Sequence, residues 1–176
     1  DAATMTLSNV TSEMKYSVDG GINWMAVEET PIDLSEAKLT VADGIRVKQL
    51  GDGSTTVESA VQTIALTQAS TPISVGKTDC TTAENNDGTI TGVTSAMEYR
   101  DSTAAGWTKC LTTTVTGLSP ASYEVRVAGE GTVLASESVT LIIEGYQPPV
   151  PKDYTVTFFA DDKIVGTETV EEGGTL

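Results

Sequence analysis

Within the stretch Ser17-Val18-Asp19-Gly20-Gly21-Ile22-Asn23-Trp24 lie a hydroxyl, a carboxylate, two glycines and an indole. The spacing suits a tight hairpin. The aspartate caps turn amides, a glycine takes positive φ, and the tryptophan packs beneath. The same groups offer a second chemistry, in which Asp19 and the Trp24 ring touch a bound sugar. Trp107 raises the same choice: one large aromatic per core is the expectation, and a sugar-stacking platform is the alternative. Asn85-Asn86-Asp87-Gly88, with Asp79 and Glu84 nearby, collects oxygen ligands but lacks the ladder of a dedicated calcium loop. It reads as a turn, and no metal or cofactor is expected. Lys15 and Lys48 sit on strands, yet no buried trio identifies an isopeptide bond. The chain has no histidine, which removes the commonest general base and neutral metal ligand. No nucleophile–base pair or phosphate loop stands out, so no catalytic residue is assigned and a non-enzyme is expected.

The elements that position these groups are strands. Aromatics make up only 5% of the 176 residues, so cores must rest on Val, Ile and Leu. Thr and Val dominate, and turn residues recur at short intervals, as all-β folds require. The net charge of −15 repels phosphate backbones and anionic lipid, which argues against nucleic-acid and membrane-surface partners. No apolar run approaches bilayer-spanning length, so no membrane insertion is expected.

The chain repeats itself. Thr11-Ser12-Glu13-Met14-Lys15-Tyr16 returns as Thr94-Ser95-Ala96-Met97-Glu98-Tyr99, and the same shift of 83 carries Trp24 onto Trp107, Val10 onto Val93 and Thr6 onto Thr89. Further on the shift is 78, taking Val47 to Val125, Gly51-Asp52-Gly53 to Gly129-Glu130-Gly131, and Val61 to Val139. A loop indel after the tryptophan accounts for the change. Tyr123-Glu124-Val125-Arg126-Val127 is the cleanest alternation, with Tyr123, Val125 and Val127 facing inward. Ile32 to Leu39 allows a helical turn or an irregular strand. The first copy has little to match the segment from Pro72 to Asp87, so either it lacks a first strand or the sequence begins inside that strand. Cys80 and Cys110 both belong to the second copy; Val27 stands where Cys110 would fall, and nothing matches Cys80. This joint absence predicts a Cys80–Cys110 disulfide, closing a loop of about 30 residues and worth roughly 3–4 kcal/mol.

Thr116-Gly117-Leu118-Ser119-Pro120-Ala121-Ser122-Tyr123-Glu124-Val125-Arg126-Val127 resembles a stretch of fibronectin type III and related bacterial immunoglobulin-like modules, with Tyr123 one residue earlier than their pattern places it. Met14 to Trp24 and Ala135-Ser136-Glu137 are similar to repeats of multimodular surface proteins of Gram-positive bacteria. Ser17 to Trp24 also fits the Asp-box pattern of sialidases, where the motif is itself structural; the arginine cluster and propeller of those enzymes do not fit in this length. Beyond the prolines of residues 147–153, Tyr154-Thr155-Val156-Thr157-Phe158-Phe159, an Asp161-Asp162 turn and Gly173-Gly174-Thr175-Leu176 resemble the opening of an internalin B-type (Listeria–Bacteroides) repeat, a β-grasp-like module.

The resemblances imply two tandem immunoglobulin-like sandwiches, residues 1–69 and 70–146, a Pro-rich linker at 147–153, and the truncated start of a third β module at 154–176. That last piece is expected to belong to a larger protein and to lean on a neighbour, because an isolated hairpin is marginal in water. The expected role is non-catalytic: extracellular or cell-wall-associated monomeric modules that space or display adhesive or catalytic domains, with an unidentified protein or glycan partner. The alternative is a carbohydrate- or host-protein-binding accessory module of a glycan-active enzyme.

Overall fold

The computed structural model describes residues 1–174. Their regular structure is all β, with no helix among the described residues. The chain divides into two compact units, Asp1–Gly145 and Tyr146–Leu176, and both repeats lie in the first. The first repeat holds β1 (Thr6–Leu7), β2 (Met14–Ser17), β3 (Met25–Ala26), β4 (Ile32–Asp33), β5 (Ile45–Gln49), β6 (Gln62–Ile64) and β7 (Thr67–Gln68). The second holds β8 (Gly76–Thr78), β9 (Gly88–Thr91), β10 (Met97–Asp101), β11 (Thr108–Lys109), β12 (Thr114–Leu118), β13 (Ala121–Val127), β14 (Val133–Leu134) and β15 (Val139–Ile143). The second unit is a hairpin of β16 (Asp153–Ala160) and β17 (Lys163–Glu171).

The duplication reappears as pairing. In the first repeat Tyr16 faces Val47, and in the second Tyr99 faces Val125. Leu7 pairs with Ile32 as Ile90 pairs with Val115. The sheets run β3-β2-β5-β6 and β11-β10-β13-β15, each antiparallel throughout. Opposite them stand the β1-β4 pair and the β12-β9-β8 sheet. Each repeat buries its own core at matching positions: Leu7, Val10 and Val27 in one, Ile90, Val93 and Cys110 in the other. Strand β13 alternates as its sequence requires, with Tyr123 and Val125 buried and Glu124 and Arg126 on the other face. The Tyr123 hydroxyl donates to the Ser119 carbonyl at 3.0 Å, tying the strand back to the corner before it.

One detail of register departs from expectation. Gln62, not Val61, pairs with Val47, whereas Val139 pairs with Val125. The last strand is therefore slipped by one residue between the copies, which turns its side chains over and leaves Val61 47% exposed. Ile32 to Leu39 is a short strand followed by turns. Strand β8 has no counterpart among the described residues of the first repeat.

The expected disulfide is absent: Cys80 and Cys110 are free, buried thiols. Both belong to one core but to opposite ends of it. The Cys80 amide donates to Glu144, beside Ile143, which pairs with Ala121 at the start of β13. The Cys110 amide donates to Met97, which pairs with Val127 at the end of that strand. Six residue steps at about 3.3 Å separate the two levels, far beyond the roughly 4.4–6.8 Å that a disulfide spans between Cα atoms. The joint absence of cysteines from the first repeat has a simpler origin. Val27 fills the Cys110 position with another small apolar side chain, and Cys80 follows the strand that the first repeat lacks.

The repeats join side by side. Strand β14 pairs in parallel with β7, Val133 with Thr67 and Leu134 with Gln68. Leu134 packs on the first repeat's core. The Ala2 amide donates to the Gly131 carbonyl at 2.7 Å, and the Ala69 amide to the Leu134 carbonyl at 3.0 Å. In the second unit, Asp161 and Asp162 take φ of 47° and 59°, as a two-residue hairpin turn requires. Of the closing Gly173-Gly174-Thr175-Leu176 motif, Thr175 and Leu176 lie outside the described residues.

Burial raises the Cys110 thiol above its ordinary pKa, and the Glu98 carboxylate adds to this. Neither thiol should react with a water-soluble disulfide reagent in the native chain, while denaturant should expose both. An intact mass lower by two hydrogens would overturn the free-thiol assignment.

Candidate functional site

The hairpin that leaves β2 is built on Asp19. Ser17 is fully buried, donates from its hydroxyl to Asp19 Oδ1 at 2.7 Å and accepts the Gly21 amide at 2.9 Å. Asp19 Oδ1 accepts the Ile22 and Asn23 amides at 3.1 and 2.9 Å, and Oδ2 accepts the Asn23 side-chain amide at 2.6 Å. Gly20 and Gly21 supply the positive φ, 72° and 88°. Trp24 Nε1 donates to the Gly21 carbonyl at 3.0 Å. The Asn23 amide, then the Ser17 hydroxyl, hold the Asp19 carboxyl at about 2. Both Asp19 oxygens are thus engaged in shaping the turn.

Neither tryptophan joins a core. Trp24 and Trp107 are half-buried, and the reason lies in strand parity. Tyr16, Tyr99, Val47 and Val125 take the inward positions, so their immediate neighbours face out and the indoles lie against those. Lys48 Nζ lies 4.7 Å from the Trp24 ring centre. Arg126 and Arg100 lie 3.9 and 4.4 Å from that of Trp107. Such stacks contribute about 0.5–2 kcal/mol. Under Trp107 the cross-strand neighbours are ion pairs: Arg126 with Glu98 at 2.7 Å and Arg100 with Glu124 at 2.6 Å. An aromatic in a small β module suggests core by composition alone. The outward cations at positions 48, 100 and 126 were the missed signal.

The first repeat lacks the matching acid. Arg46 occupies the place of Glu124 and faces Ser17 across the strands, where Glu124 faces Arg100. Arg46 Nε is a buried side-chain donor without a hydrogen-bond partner. Gly21 passes close above it; a Cβ there would lie 3.0 Å from Arg46 Nη1 and 3.7 Å from the Trp24 ring, so the glycine is required by contact as well as by φ.

Docking of the repeats opens a cleft of about 710 Å³. The second repeat contributes Glu98, Trp107, Lys109 and Arg126; the first contributes Lys38 and Gln68. Trp24 lines no part of it. The cleft was invisible in a reading that treated the repeats as separate beads. Asp79 and Asp87, considered for calcium, are spent locally: Asp79 Oδ1 accepts the Glu144 amide at 2.7 Å, and Asp87 accepts the Thr81 amide at 3.1 Å. Among the described residues no three His, Cys, Asp or Glu side chains converge as metal ligands. No helix of the described residues is long and apolar enough to cross a membrane.

Two outcomes follow from the hairpin. Folding lowers Asp19 from 3.8 to about 2, so its ionised form contributes stability above pH 3.8 that is lost as pH falls through about 2. Carbon-detected titration should place the Asp19 carboxyl near pH 2, and Asp19→Asn should flatten the loss of stability across that window. Arg46→Met keeps the aliphatic contact with Gly21 and Trp24 while removing an unpaired donor. It should raise stability by on the order of 1 kcal/mol in urea unfolding; a loss of that size would reveal a partner for the guanidinium. Compared with protein-family models, with curated proteins and with solved structures, the chain has no match.

Proposed function

We propose that this chain is a non-catalytic spacing and display segment of a larger secreted or cell-surface bacterial protein, built from immunoglobulin-like repeats. The observation that carries the reading is the parallel β7–β14 pair. A spacer must transmit orientation, and a strand pair backed by Leu134 on the neighbouring core resists swivelling as a free linker does not. The similarity of Met14 to Trp24 to bacterial surface repeats supports it, as does the acidic composition, which keeps exported chains dispersed.

A second reading, an accessory module that binds carbohydrate or a host protein, draws support from Trp107. An indole lining a cleft is available for stacking in a way that a core indole is not.

Amide relaxation should give one rotational correlation time for both repeats. Leu134→Ala, which removes a partly buried side chain at the junction, should lower stability by about 1–3 kcal/mol and separate the unfolding of the two repeats into distinct steps. Independent tumbling of the repeats in the unmodified chain would sink the spacing reading.

A further inference from the structure

The cleft differs from the rest of the surface in charge. The whole chain carries 25 Asp and Glu against 10 Lys and Arg. The cleft reverses this, with Lys38, Lys109 and Arg126 against Glu98. Glu98 is already held by Arg126 at 2.7 Å. Lys38 and Lys109 are exposed and take part in no ion pair among the described residues. Gln68 reaches the rim, donating to the Ala135 carbonyl at 3.3 Å and to Glu137 at 3.4 Å. Two uncommitted ammonium groups from different repeats therefore share a cleft with an indole whose ring is braced by guanidinium groups.

We infer that the inter-repeat cleft binds an acidic saccharide, with a pyranose ring against Trp107 and its carboxylate or sulfate group toward Lys38 and Lys109. The inference rests on the binding reading above and names its ligand class. A sugar ring offers an apolar C–H face that suits an indole. The lysines supply charged donors that a neutral sugar would leave unmatched, and a site built for a polar group discriminates against ligands that lack it. The chain's negative field works against dense polyanions, so the fitting ligand carries isolated charges on a short oligosaccharide. An acidic peptide shares the charge but lacks the ring face.

The test is a nitrogen-15 titration of the full chain with an oligogalacturonate, a sulfated disaccharide, a neutral cello-oligosaccharide and an oligoglutamate. Either acidic sugar should shift the Trp107 indole signal and leave that of Trp24 in place. The double variant Lys38→Gln, Lys109→Gln, which changes only exposed side chains, should bind about tenfold more weakly with an unchanged amide spectrum. Trp107→Ala should abolish binding. The inference fails if neither acidic sugar moves the Trp107 signal, if oligoglutamate binds as tightly, or if the lysine variant binds as the unmodified chain does. Trp107-dependent binding of the neutral sugar alone would keep the binding reading and remove its acidic ligand.

Discussion

Antiparallel pairing of β10 with β13, and of β2 with β5, decides what every other part of the first unit meets. A strand shows alternate residues to opposite sides. Once Tyr99 faces Val125 and Tyr16 faces Val47, the inward row is fixed as core. The outward row is fixed with it, as Glu98, Arg100, Glu124 and Arg126 in one repeat and Lys15, Arg46 and Lys48 in the other. The tryptophans settle on those outward cations, and Glu98 and Arg126 of the same row line the cleft. Core and surface chemistry are thus two sides of one register.

The duplicated elements were the legible part of the sequence, because each appears twice with its apolar positions in step. The alternation of β13 and the Asp161-Asp162 turn of the terminal hairpin were readable for local reasons: period and turn chemistry act over a few residues. What escaped depends on contacts between distant segments. Whether Trp107 lies inside or outside is decided by Arg100 and Arg126, which sequence order does not bring together. The disulfide expectation treated two cysteines of one module as neighbours, when the length of β13 separates them. The slip of the last strand is one residue wide, smaller than alignment by a single valine can resolve. The cleft needed Val133-Leu134 to find Thr67-Gln68, a pairing for which the first repeat holds no duplicate.

The acidic composition has a local use beyond solubility. Asp33 accepts the Ser35 amide at 2.8 Å, and Asp101 accepts the Thr103 amide at 2.8 Å. Asp52 accepts the amides of Ser54, Thr55 and Thr56 at 2.7 to 2.9 Å. Its hydrogen bonds, led by the Thr55 hydroxyl, hold it far below the usual carboxylate range. Together with Asp19, these carboxylates replace the hydrogen bonds that loop amides lose when strands end. A chain of many short strands has many such loops, and it spends acids at them.

The contact of Leu134 with the first core also sets an order of events. Synthesis begins at the amino end, so residues 1–69 are complete well before residue 134 exists. Until β14 arrives, β7 has an open edge and the first core lacks one of the side chains that cover it. The earlier repeat therefore has its own buried residues in hand from the start and gains this last part of its cover only when the later one is made.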